Sequence, residues 1–139
     1  MKKLFPVFLC LISFAFACKK SEITTSDSPP IVLAATDKVL FSGTFTSGAH
    51  TTTGDVKLIQ SADSKKYLVF GSLKTDAGPD LRIYLAEDKT AKVYTEITST
   101  VINGNTKIEV PSAANTTTQK TVLIWCKQYS VLFGSAGLQ

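Results

Sequence analysis

The sequence predicts an all-β fold, an antiparallel β-sandwich or flattened barrel of about eight strands, on three observations. Val, Ile, Leu, Thr and Tyr dominate beyond Pro30, the composition of half-buried pleated strands. Gly, Asn, Asp and Ser recur between the apolar runs at short intervals, which is turn punctuation. No stretch sustains the three-to-four-residue apolar spacing of a helix, and Ala86 to Lys92 is the best place for one short turn.

In chain order, the expected strands are Val39–Thr46, Asp55–Gln60, Tyr67–Leu73, Leu81–Ala86, Ala91–Ile97, Lys107–Val110, Thr121–Cys126 and Tyr129–Phe133, with a weaker one at Ile31–Ala35. Leu81 to Leu85 alternates cleanly: Leu81, Ile83 and Leu85 share one face, Arg82 and Tyr84 the other. Thr121–Cys126 is apolar on both faces, as a central strand covered on each side would be. Asp76-Ala-Gly-Pro79 reads as a sharp corner, because proline lacks the N–H that a ladder needs. The carboxylates of Asp76 and Asp80 are expected to satisfy turn N–H groups there. Asn103-Gly104 reads as a tight turn, since both residues accept positive φ. Gly48 to Gly54 and Ser61 to Ser64 read as polar loops.

The segment ahead of this domain reads as an export signal and a tether. Met1-Lys-Lys3 is a short positive start, and Leu4 to Ala17 is a nearly unbroken apolar run. That run is too short for the roughly 20 helical residues that cross a bilayer, so it is read as a signal peptide over residues 1–17. Ala15 and Ala17 are small residues at the two positions a signal peptidase reads, and Cys18 follows the cut. A cysteine there suggests a bacterial lipoprotein, exported and held on a periplasmic or outer-membrane surface by an acylated Cys18. Ala15 and Phe16 depart from the usual pattern of Leu and a small residue, and an ordinary peptidase cutting at the same bond would release a soluble secreted protein. Residues 18–37 are then the lipidated cysteine and a flexible, polar, proline-bearing tether, and 38–139 a single domain.

Charge and counting exclude several functions. Removal of Lys2 and Lys3 leaves 13 basic against 11 acidic residues, a net charge of +2 with no basic cluster. Nucleic-acid binding needs a concentrated positive face, so none is expected. His50 is the single histidine, Cys126 the one cysteine left free once Cys10 and Cys18 are assigned, and the mature chain has no methionine. A blue-copper centre, a four-ligand zinc site and a Cys-x-x-Cys thiol cycle therefore cannot be built within one chain. Haem held between His and Met is excluded on the same count, whereas haem through Cys126 stays open. No nucleophile, base and acid set for hydrolysis presents itself. Taken by itself, Cys126 reads most simply as a small buried hydrophobe, and His50 as a loop residue.

Several segments line up together: Ser42-Gly-Thr-Phe45, His50, Gly54-Asp-Val56, Lys74 to Leu85 with its Gly-Pro-Asp-Leu and Tyr-Leu, Val122-Leu-Ile-Trp-Cys126, and Phe133-Gly-Ser-Ala136. In this combination the chain resembles the DM-thirteen electron-transfer domain of Skeletor-type animal proteins, which also occurs alone in bacterial lipoproteins. The resemblance spans roughly Val39 to Leu138 and implies an all-β domain acting in extracytoplasmic electron transfer. The family's cysteine, a bare redox thiol or a ligand to a prosthetic group such as haem, falls on Cys126, and its histidine on His50. Leu73 and Ile108 stand where the family often carries aromatics, which is core variation.

Two functions follow as expectations. In the first, Cys126 is a working thiol or cofactor ligand that passes electrons to a redox partner protein. Such a thiol is expected to be partly exposed, with its pKa lowered by His50 or Lys127. In the second, the domain is a non-catalytic binding or structural lipoprotein, with Cys126 as packing.

Overall fold

A computed structural model describes residues 28–139. Nine strands make up the fold: β1 (Lys38–Thr44), β2 (Thr46–Ser47), β3 (Thr52–Gln60), β4 (Lys66–Thr75), β5 (Leu81–Ala86), β6 (Tyr94–Thr98), β7 (Gly104–Glu109), β8 (Thr121–Cys126) and β9 (Val131–Gly137). The segment read as a signal peptide, and Cys18, lie outside the described residues.

The strands form two antiparallel sheets, ordered β1-β3-β4-β7 and β2-β9-β8-β5-β6, packed as a sandwich. Along one side the sheets meet. There Ser42 and Gln139 exchange both backbone hydrogen bonds, at 3.0 and 2.9 Å, so the run from β1 into β2 follows β9. Close approach at this seam requires glycine: a Cβ on Gly43 would stand 2.4 Å from the Gly137 carbonyl oxygen. β6 and β7, at the other side of each sheet, are edges, so the sandwich does not close into a barrel.

Alternation along each strand sorts residues between two apolar clusters. Val56, Leu58, Leu68, Phe70, Ile83, Leu85, Val122, Ile124 and Cys126 face the space between the sheets and pack with Phe45 and Phe133. Leu123, Tyr84 and Ala86 face the other way, forming a second cluster with Ala91, Trp125 and Leu132. β8 is thus covered on both faces, which its unbroken apolar run requires, because either face left wet would expose large aliphatic area.

Three local expectations are corrected. Ile31–Ala35 forms no strand; Ser28 to Asp37 instead lies on the outer face of the first sheet, with the Asn105 side-chain amide donating to the Ser28 carbonyl and the Ser61 hydroxyl to Asp37. Asn103-Gly104 is not a tight turn between paired strands, because β6 and β7 belong to different sheets. Gly104, at φ 104°, begins β7, while the Asn103 side chain accepts from the Thr75 N–H and donates to its carbonyl, both at 3.0 Å, in place of a neighbouring strand. β3 reaches back to Thr52, shortening the loop expected over Gly48 to Gly54, and β9 runs on to Gly137.

Candidate functional site

The chemistry-bearing residues gather at one end of the sandwich. β4 ends at Thr75, the segment Asp76–Asp80 crosses from the first sheet to the second, and Leu81 begins β5. Leu81 stands opposite Cys126, the last residue of β8, and Cys126 stands opposite Val131, the first of β9. The chain beyond β2 follows β9 back to this same end, with the N–H of Gly48 bonded to the Phe133 carbonyl and that of Ala49 to Leu132. His50 follows directly. The proline corner, the histidine and the cysteine are therefore brought together by topology from three separate stretches of chain.

Cys126 is 1% exposed. The partial exposure expected of a working thiol is not what the structure has, and strand alternation is the reason. In the third of five strands, Val122, Ile124 and Cys126 share the inter-sheet face, so the sulfur is enclosed by the core.

His50 carries its ring over the edge of that core. The imidazole stacks on Phe133 with ring centroids 3.9 Å apart and planes 19° from parallel, and Phe133 belongs to the cluster that encloses Cys126. His50 Nδ1 lies 3.5 Å from Asp76 Oδ2, and the same carboxylate oxygen accepts the N–H of Thr51 at 3.1 Å. Asp76 thus takes a loop N–H, as expected. Asp80 does not. Its carboxylate accepts from Arg82 Nε at 2.6 Å, and Arg82 Nη1 donates to Glu96 at 2.8 Å. These two carboxylates hold the guanidinium above its ordinary pKa, with Asp80 contributing most. The Asp80 carbonyl in turn accepts the N–H of Lys127, tying the corner to the end of β8. Among the described residues, no hydrogen bond links His50 to Cys126.

An open cleft of about 470 Å³ lies beside this end, walled by Thr75 to Leu81 and by Ser99 to Asn103. Leu81 separates it from Cys126. Haem does not fit these residues as placed: the sulfur lines no wall of the cleft, and the imidazole is committed face-on to Phe133. Among the described residues there is no cluster of three His, Cys, Asp or Glu side chains that would hold a metal ion.

Residue-level reading missed an aromatic group on the outer face of the second sheet. Tyr84 stacks on Tyr94 at 4.1 Å and lies 6.5 Å from Trp125, centroid to centroid. Burial, with the Tyr94 hydroxyl adding to it, pushes the Tyr84 phenol up to about 12. The alternation of Arg82 with Tyr84 placed both on this face, but their partners come from β6 and β8.

Fold and site together define a small extended-strand domain whose sulfur, among the described residues, is a single thiol at one end of a sandwich. The family model Electron transfer DM13 matches residues 44–138, and the chain belongs to that family. Comparisons with curated proteins and with solved structures return no match.

Proposed function

We propose that the protein is an exported, lipid-anchored electron-transfer domain in which Cys126 is the redox group and His50 its assisting base. The observation that carries the reading is the convergence of Cys126, His50 and the Asp76–Asp80 corner on one end of a domain of this family. A lone thiol relays electrons by exchange with a partner protein's disulfide. The Cys126 thiolate attacks one partner sulfur, a mixed disulfide forms, and the other partner sulfur leaves as a thiolate with the electron pair. The partner is thereby half reduced and Cys126 oxidised to the mixed disulfide. His50, 44% exposed and with Nδ1 3.5 Å from Asp76, is the group that accepts the thiol proton. Because the sulfur is enclosed, exchange waits for a local opening of this end.

The test is the reaction of Cys126 with a small aromatic disulfide, followed with and without sub-denaturing urea. Exchange faster than global unfolding, and slowed in His50→Ala, is expected. Modification only at the global unfolding rate would overturn the thiol role. The burial of Cys126 favours a second reading, a non-catalytic binding module in which the sulfur is packing; full function of Cys126→Ala in cells would select it. Acylation of Cys18 is tested separately by fatty-acid labelling that is lost in Cys18→Ala.

A further inference from the structure

We infer that the outer face of the second sheet carries a binding cleft for an uncharged sugar, built on Tyr94 and Trp125. This site is separate from the thiol chemistry put forward above, because Trp125 belongs to the cluster on the far side of β8 from the core that encloses Cys126.

The outer face of a sandwich sheet is ordinarily polar, since alternation sends its residues to water. Here Trp125, Tyr84 and Tyr94 stand together on that face, from the three adjacent strands β8, β5 and β6. The connection between β5 and β6 brings Ala91 against this group without sealing it. Tyr84 is buried, but Trp125 is half-buried and Tyr94 is 41% exposed. An open cleft of about 440 Å³ is left beside the three rings, within the range of about 300–1,000 Å³ typical of small-molecule sites.

The backbone around the cleft is irregular. The β5–β6 register shifts between Ile83 and Tyr84, and the β8–β9 register between Ile124 and Trp125. Such shifts re-aim the side chains beside them. Ala91 and Ser130, which both line the cleft, hold φ at 52°, a left-handed conformation that residues with a side chain seldom adopt. These conformations cost stability, and they gather where a surface is shaped for contact.

The lining selects the ligand. Aromatic rings give a flat apolar surface, and Thr90, Ser130 and Lys127 set polar groups around it. Thr90 Oγ1 donates to Asp88 at 2.6 Å and keeps its lone pairs for accepting. A pyranose matches both features: C–H groups on its face pack against an aromatic plane, and hydroxyls radiate from its rim. A wholly apolar ligand would cover the hydroxyls and the ammonium without pairing them. Charge disfavours an ionic ligand. Lys127 Nζ stands 3.8 Å from Glu96, which also pairs with Arg82, itself paired with Asp80, so two cations and two carboxylates cancel. The β5–β6 connection adds Glu87, Asp88, Lys89 and Lys92, again two of each sign. No net field draws an acidic glycan to this face.

Trp125 is the single tryptophan of the chain, so its emission reports on the cleft. The full chain is titrated with oligosaccharides of glucose, mannose, galactose and N-acetylglucosamine, followed by tryptophan emission and by calorimetry. Saturable binding of at least one of them, with a shift in Trp125 emission, is expected. Tyr94→Ala should weaken that binding about tenfold, and Tyr94→Phe, which keeps the ring, by less than about threefold. Thr90→Arg, at an exposed position outside the core, should weaken it by crowding the cleft, which separates loss of the site from loss of the fold. Binding to none of the four sugars, binding that Tyr94→Ala leaves unchanged, or tighter binding of oligogalacturonate than of the uncharged sugars would each overturn the sugar cleft. The electron-transfer reading is decided separately, by disulfide exchange at Cys126.

Discussion

The imidazole of His50 lies flat on the phenyl ring of Phe133, centroids 3.9 Å apart, so the loop histidine covers a ring of the same cluster that encloses Cys126. One side of the ring meets the partly wet surface and the core lies behind it. The two substitutions should therefore differ in cost. Phe133→Ala, at a 3%-exposed position, is expected to destabilise by about 3–5 kcal/mol, and His50→Ala by about 0.5–1.5 kcal/mol. Urea unfolding midpoints at constant m-value measure both.

The enclosure of Cys126 makes its chemistry sensitive to polarity. In Cys126→Ser a hydroxyl replaces the sulfur in an apolar cluster, and an unpaired buried hydroxyl costs about 1–3 kcal/mol. Native-state alkylation of the wild-type thiol should be slow and should rise steeply in Phe133→Ala, read by mass shift over time.

Gly54 tests the bulge that turns β3 toward the site. It sits at φ 112°, where the β3–β4 register shifts between Thr53 and Asp55. A Cβ there would meet Gly71 O, Leu73 Cα and Ser72 O, each at 2.8 Å. Backbone atoms cannot yield as a side-chain tip can. Gly54→Ala is expected to cost at least about 1–3 kcal/mol in a thermal or urea melt, more than a surface Gly→Ala change.

Tyr84 sets an alkaline limit to stability. Its phenol, 1% exposed, is held up to about 12 against an ordinary value near 10. The folded chain keeps this proton longer than the unfolded one, so its contribution is complete below pH 10 and is lost as pH rises from 10 toward 12. A rise from 10 to about 12 corresponds to about 2–3 kcal/mol. Unfolding free energy measured across this range should fall, and Tyr84→Phe should flatten the fall.

Most of the strands were legible in the chain because a half-buried strand writes its own signature. The alternation from Leu81 to Leu85 and the two-sided apolar run of β8 gave the face each residue takes, although β5 is buried on both faces from Ile83 onward, since a residue's face depends only on its neighbours in sequence. Asn103-Gly104 misled for the opposite reason. A local turn preference is weaker than two hydrogen bonds to a partner 28 positions away, and the Asn103 side chain serves Thr75 instead. β2, two residues long, left no pattern to read, because its pairing is with β9 at the far end of the chain.

The sequence by itself determined an all-β domain, sandwich or flattened barrel, with Cys126 and His50 as the cysteine and histidine it offers, and that His50, the Gly-Pro-Asp corner and Trp125-Cys126 fit one family pattern. Composition, alternation and residue counts are local quantities, and they suffice for that. Only the tertiary structure decided that Cys126 is enclosed, that Phe133 lies under His50, and that Asn103 serves Thr75. Those facts depend on which strands become neighbours and how two sheets face each other, and both are settled by the burial of apolar surface over the whole domain.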